Sequence, residues 1–282
     1  IWSRLVGSEM CIRDSANTGQ ELWGFVPPLL AGNLPLMINT DLNTSKKGGS
    51  NAIYGVDGSP VVSNLFIQSP LRLAGSKQWR TILMIPYGRG GAGFSVLDVT
   101  NPDKPVHFYS IYNDKDNKKV HVLIARTNVK SYDYGSVPKE YDYTKLGQTW
   151  SSPRITRIPN SGAGDTVIDD YLNVAIMGGG YDDTDEATGS NLTIVNLDNL
   201  GKINKVIPLN NITNNNITNS APSTPLVLTP DTVGDSNIYR GALVYLNDLE
   251  GKITKFNLTN MEKDKDGNSI EMYDSTQIFS VD

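Results

Sequence analysis

The sequence predicts an all-β fold, a partial β-propeller of about three and a half four-stranded blades. Three observations predict it. Of 282 residues, 76 are Asp, Asn or Gly, which form turns and make poor helices. Apolar residues alternate with period 2 throughout, and no long stretch keeps a period of 3.6. Four strand types then recur in one fixed order, three times over.

The first strand type opens on a Ser/Thr-Pro pair: Ser59-Pro60-Val61-Val62, Ser152-Pro153-Arg154-Ile155 and Thr224-Pro225-Leu226-Val227. A proline at a strand start gives up an N–H where the loss costs least. The second type is the most apolar (Thr81–Ile85, Asn173–Met177, Ala242–Leu246), as suits a strand covered on both faces. The third alternates: Phe94–Val99, Leu192–Leu197, Ile253–Leu258. The fourth follows a turn: Val106–Ile111, Ile203–Leu209, Gln277–Val281. Glu21–Val26 reads as the tail of an earlier unit.

Three meanders of four strands describe propeller blades. The Ser/Thr-Pro starts lie 93 and then 72 residues apart. A bare blade needs roughly 40–50 residues, so long insertions are expected at Tyr112–Gly147 and Asn210–Ser220. Asp57-Gly58 reads as a hairpin signal. Gly88, Gly90, Gly91 and Gly93 mark a corner between second and third strands, and Gly178-Gly179-Gly180 mark the next one.

The expected organisation is a non-native, adapter-derived tail over 1–15, then a partial propeller over 16–282. Within it, 16–50 ends a preceding blade and adds a linker. Blades follow over 51–147, 148–220 and 221–282, the last truncated. About three and a half blades cannot close a ring, so more blades are expected. Ile1–Ser15 shows neither a signal-peptide core nor a strand pattern. It holds the only cysteine, Cys11, so no disulfide framework is expected.

A net charge of −5 argues against a nucleic-acid surface. No apolar run is long enough for a transmembrane helix. His107 and His121 lack the spacing of paired metal ligands, and no G-x-S-x-G run marks a serine nucleophile. No catalytic residue is assigned.

Several stretches carry a resemblance. They include ANTGQELWGFVPPLL (Ala16–Leu30), YGVDGSPVV (Tyr54–Val62), WRTILMIPYGRGGAGFSVLDVTNPDKP (Trp79–Pro105), LGQTWSSPRI (Leu146–Ile155), VAIMGGGYD (Val174–Asp182) and LVYLNDLEGKITKFNL (Leu243–Leu258). In this order the chain resembles the C-terminal propeller of the PilY/PilC type IV pilus tip and assembly proteins. The resemblance implies a non-enzymatic role in pilus assembly, retraction control and surface attachment. It implies pilus subunits or minor pilins and host or abiotic surface ligands as partners, at the cell surface or pilus. The alternatives are a quinoprotein-like dehydrogenase propeller, or a generic interaction or glycan-active propeller. TGQELW resembles a dehydrogenase blade element, but it occurs once and no Cys pair accompanies it, so no quinone is expected.

The resemblance also implies calcium. The family's Asp-rich loop falls at Asp231, Asp235 and Asn237, with Val233 and Tyr239 standing where further ligands would be. Ca²⁺ takes 6–8 oxygens, so carbonyls and water would supply the rest. A weaker alternative is Asp264, Asp266 and Asn268, whose spacing resembles half an EF-hand loop but reads better as a hairpin turn. Asp182, Asp183, Asp185 and Glu186 form a third acidic loop, expected to be simply exposed.

Overall fold

In the computed structural model, described residues are 11–14, 19, 21–35, 54–69, 76–160, 171–182, 188–209, 219–229, 241–259 and 271–280. They form an all-β molecule of antiparallel sheets, with a few 3-10 turns. A two-stranded ribbon joins β1 (Cys11–Asp14) to β2 (Glu21–Phe25). A six-stranded sheet follows in simple order: β3 (Val61–Ile67), β4 (Gln78–Pro86), β5 (Gly93–Asp98), β6 (Val106–Asp114), β7 (Lys119–Ile124) and β8 (Lys130–Asp133). The next sheet is the meander β9 (Arg154–Pro159), β10 (Tyr171–Gly178), β11 (Asn191–Asn196), β12 (Lys202–Pro208). The last is β13 (Leu226–Leu228), β14 (Gly241–Asn247), β15 (Ile253–Thr259), β16 (Ser275–Phe279).

The repeat read from the sequence is present. Pro60, Pro153 and Pro225 each stand just before the strand that forms one edge of its own sheet. The second strands β4 and β10 are buried on both faces, and β14 on one. Along β10, Ala175 and Met177 join the core shared with β3–β8, while Val174 and Ile176 join the core shared with β13–β16. On β11 and just past its end the residues divide the same way: Leu192 and Ile194 join the second of these cores, Val195 and Leu197 the first. On β4, Ile82 and Met84 face the first core, and Leu83 and Ile85 face a third one that Trp23 and Phe25 help to cover. Period-2 alternation thus serves two cores at once, so these strands read as continuous apolar runs.

Two expectations need correction, and the Tyr112–Gly147 insertion takes a definite form. β6 runs on to Asp114, and β7 and β8 extend the sheet to six strands. Its tyrosines fold back onto the core: Tyr141 and Tyr143 are buried, with Tyr132 and Tyr134 packed beside them. Tyr143 Oη donates to Gly201 O at 2.6 Å and its ring meets Phe94 edge-on at 5.8 Å.

Asp57-Gly58 is not a hairpin turn. Asp57 N donates to Tyr87 O at 3.0 Å, laying this segment along the corner after β4. A Cβ on Gly58 would lie 2.4 Å from Pro86 O, so close packing explains the glycine.

Cys11–Asp14 pairs antiparallel with Glu21–Phe25 despite its lack of a strand pattern. Ladder hydrogen bonds are made by the backbone, so a neighbouring strand can recruit a sequence with little alternation of its own. Gly19, at φ +66°, lies in the connection.

The string Trp79–Pro105 holds itself together by an ion pair across β4 and β5. Arg80 Nη1 donates to Asp98 Oδ2 at 2.7 Å, and Thr100 N donates to Asp98 Oδ1 at 2.9 Å. Thr100 Oγ1 in turn accepts from Thr81 N at 2.9 Å. Asp98 is 6% exposed. Asp98→Ala should therefore cost about 2–4 kcal/mol, because it strands the Arg80 charge and removes the turn's acceptor. Urea unfolding followed by tryptophan fluorescence measures it.

Candidate functional site

Two features position side chains for function: the glycine corners and the cleft between neighbouring first strands. At each corner the segment that leads into the next sheet is clasped. Gly88 N donates to Thr149 O, Tyr87 N donates to Thr149 Oγ1 at 2.9 Å, and Thr149 Oγ1 donates to Gly93 O at 2.6 Å. One repeat later, Gly180 N donates to Ala221 O at 3.2 Å and Asp182 N donates to Ser220 Oγ at 3.0 Å. Ser151 Oγ accepts from Gly178 N at 3.0 Å. Side-chain hydroxyls thus stand in for ladder partners where the strands end. The sequence marks these corners by glycine but gives no sign of the hydroxyls that meet them.

A buried hydroxyl chain runs across β5 and β6. Tyr87 Oη lies 2.8 Å from Ser95 Oγ, Ser95 Oγ lies 2.7 Å from Ser110 Oγ, and Ser110 Oγ lies 2.8 Å from His107 Nε2. A serine beside a histidine would suit nucleophilic catalysis. Ser95, Ser110 and Tyr87 are completely buried, however, so no substrate reaches them. The chain instead satisfies polar groups inside the sheet, and burial pushes the Tyr87 hydroxyl far above its usual range.

His107 stacks on Phe25 at 5.9 Å, and burial holds its imidazole below the usual histidine value. Folding then favours neutral His107. Stability from this group is present above the unfolded value near 6.5 and is lost as pH falls through the lower folded value. Chemical denaturation between pH 7 and 5 should show this loss, and His107→Gln should flatten it. His121 also lies in a strand, with Nδ1 2.7 Å from Ser131 Oγ and Nε2 3.4 Å from Asp114.

Asp231, Asp235 and Asn237 lie outside the described residues, as do Asp264, Asp266 and Asn268. Of the third acidic loop, Asp182 is described: its carboxylate is ion-paired with Lys115 Nζ and is 7% exposed, so it is a buried partner rather than a solvated loop residue. Among the described residues, no three His, Cys, Asp or Glu come together as a metal site.

The cleft was not anticipated from the sequence. It has a volume of about 220 Å³ and lies between β3–β4 and β9–β10. Phe66 and Trp79 line one side, with ring centroids 5.7 Å apart; Trp79 is 69% exposed. Across from them, the Arg157 guanidinium sits 4.8 Å from the centre of the Tyr171 ring, and Lys77 Nζ lies 5.8 Å from the same ring. Ser63, Asn64 and Thr156 supply hydroxyl and amide groups. The signal in the sequence was a tryptophan, Trp79, two residues before the apolar run Thr81–Ile85.

No family model matches the chain. Over 86 residues it is 36% identical to the type IV pilus biogenesis factor PilY1 of Pseudomonas aeruginosa (strain UCBPP-PA14). That match covers 30% of this chain and 6% of the relative. The crystal structure of the Pseudomonas aeruginosa PilY1 C-terminal domain superposes with a TM-score of 0.54 at 18% identity, over 92% of this chain and 38% of that one. The chain therefore has a fold of the PilY1 C-terminal-domain type, and spans well under half of the solved structure it matches.

Proposed function

We propose that the chain is a run of blades from the β-propeller of a type IV pilus biogenesis protein, a non-enzymatic part that works by protein contact in pilus assembly, retraction control and attachment. The observation that carries this reading is the 86-residue match to PilY1, joined to a shared fold over most of the chain. The successive face-to-face sheets support the propeller. So does the outer face of the last sheet. Leu226 and Leu228 pair with Tyr245 and Leu243, and Phe279 pairs with Ile253, all on the face away from the shared core. Leu226, Leu228 and Phe279 are each about half exposed there, as expected of a surface that a further blade covers.

A non-enzymatic role is supported by the complete burial of Ser95 and Ser110 and the structural bonding of both histidines. The site of action would be the cell surface or pilus. Immobilised chain exposed to a shear fraction of detergent-dissociated type IV pili should enrich minor pilins over the major subunit. Equal recovery from a control resin carrying an unrelated propeller would overturn the reading.

Calcium at Asp231, Asp235 and Asn237 is part of the same proposal. At tenfold excess over Kd it would add about 1.4 kcal/mol. A small rise in Tm at ~5 mM Ca²⁺, above the range for weak extracellular sites, should be reversed by chelator and absent in Asp235→Ala. No rise at that concentration rejects the site.

A further inference from the structure

We propose that one end of the core shared by β9–β12 and β13–β16 is a binding site for a small cluster of buried water, held by Ser190, Asn219, Asp248 and Thr254. Among the described residues, seven buried side-chain atoms have no hydrogen-bond partner. Five of them belong to these four residues: Ser190 Oγ, Asn219 Oδ1 and Nδ2, Asp248 Oδ2 and Thr254 Oγ1. None of the four residues is more than 5% exposed. A buried polar atom without a partner bears its desolvation cost uncompensated, so five gathered in one place point to an occupant.

Strand register brings the four together. On β14, Val244 and Leu246 enter this core; Asn247 is exposed, and Asp248 just past the strand is buried on the side of Leu246. Thr254 pairs with Leu246 and precedes Phe256 and Leu258, which enter the same core. Ser190 stands one step before β11, in line with Leu192 and Ile194, and its carbonyl accepts from Leu209 N at 3.0 Å. Asn219 lies two residues before Ala221 of that core, while Ser220 between them turns away to Asp182. Two backbone bonds tie these segments at one corner. Leu249 N donates to Ser220 O at 2.9 Å, and Ala221 N donates to Gly189 O at 3.1 Å. Ser190, Asn219 and Asp248 each adjoin one of these bonded residues, and Thr254 is the next rung in from Asp248.

The mixture of atoms selects water. Ionised Asp248 Oδ2 and Asn219 Oδ1 only accept, Asn219 Nδ2 only donates, and the two hydroxyls do either. Asp248 Oδ1 already accepts from Glu250 N and Lys252 N, both at 3.0 Å, which fixes the carboxylate and leaves Oδ2 open. A bare cation would serve the oxygens and strand the amide N–H groups, and Asp248 would repel an anion. Water both donates and accepts. It makes about three hydrogen bonds at a buried site, so about two molecules would satisfy the five atoms. The preceding joint shows the same corner filled by protein. There Asn113 N donates to Ala92 O, as Leu209 N does to Ser190 O. The Asn113 amide donates to Thr144 O and Leu146 O at 3.3 and 2.8 Å and accepts from Tyr134 Oη at 2.7 Å. Leu209, apolar, has no such group to offer, and water takes its place. The site stands whether or not the chain acts at a pilus.

The test is a high-resolution crystal structure of the whole chain, with melting of Thr254→Val and Ser190→Ala. Ordered water should bridge Asp248 Oδ2, Asn219 and Thr254 Oγ1 at ordinary hydrogen-bond lengths of about 2.7–3.2 Å. Thr254→Val keeps the shape of the side chain and removes its hydroxyl. A hydroxyl that holds water contributes one net hydrogen bond, so the variant should melt about 2–4 °C lower in a chain of this size. Ser190→Ala should do the same. A hydroxyl that is simply unpaired costs stability, and its removal would leave both variants melting at or above the wild type. That result overturns the proposal. So does a density peak ringed by oxygens at about 2.3–2.6 Å, the mark of a metal ion such as calcium, and so does a corner without water whose side chains bond one another.

Discussion

Tyr143→Ala should destabilise the protein by about 3–5 kcal/mol, the cost of removing a large buried aromatic and leaving its cavity. Tyr143 is 2% exposed, packs edge-on against Phe94 and donates to Gly201 O. That last bond ties the segment that follows β8 to the turn before β12 of the next sheet. Tyr143→Phe removes the hydrogen bond and keeps the ring, and should cost only about 1–2 kcal/mol, mostly from leaving the carbonyl unpaired. At roughly 2–4 °C per kcal/mol, the alanine variant should melt some 6–20 °C lower. Differential scanning calorimetry of the two variants separates packing from hydrogen bonding. If Tyr143→Ala melts with the wild type, the insertion is an appendage and does not seal the first core.

Gly180→Ala should be of similar size, about 3 kcal/mol or more, by a different route. Gly180 adopts φ +97°, and a Cβ there would lie 2.4 Å from Gln148 O. Backbone on both sides cannot yield cheaply, so the substitution combines a disfavoured dihedral with a steric clash. The clash sits where Gly180 N bonds Ala221 O and Tyr181 N bonds Gln148 O, between the leaders of two sheets. The expected result is loss of the cooperative transition at a lower urea concentration. Gly135→Ala is the control: its added Cβ meets nothing within 4 Å, and the midpoint should barely move.

The parts of this fold legible in the sequence were those that follow from period and punctuation. TILMI and NVAIM announced strands buried on both faces, and the three Ser/Thr-Pro pairs announced where each repeat's first strand starts. The glycine corners were legible for the same reason. What stayed hidden was tertiary. SYDYGSVPKEYDY has no period that says its tyrosines turn inward onto Phe94 and Gly201. Cys11–Asp14 has no alternation, and its strand comes from the backbone of Glu21–Phe25. The cleft joins Trp79 to Arg157 and Tyr171, residues far apart along the chain that meet only because neighbouring sheets pack face to face. The contact of Ser110 with His107 is equally invisible, since Ser95, Ser110 and His107 sit at ordinary strand spacings.

The central claim is that the three meanders are equivalent units stacked in series, each opened by its Ser/Thr-Pro strand. A crystal structure of the chain tests it most directly. It should place the strands after Pro60, Pro153 and Pro225 at the same edge of three separate sheets, with Ala175 and Met177 of the middle sheet turned toward one neighbour and Val174 and Ile176 toward the other. Finding any two of the three Ser/Thr-Pro strands hydrogen-bonded within a single sheet would contradict it.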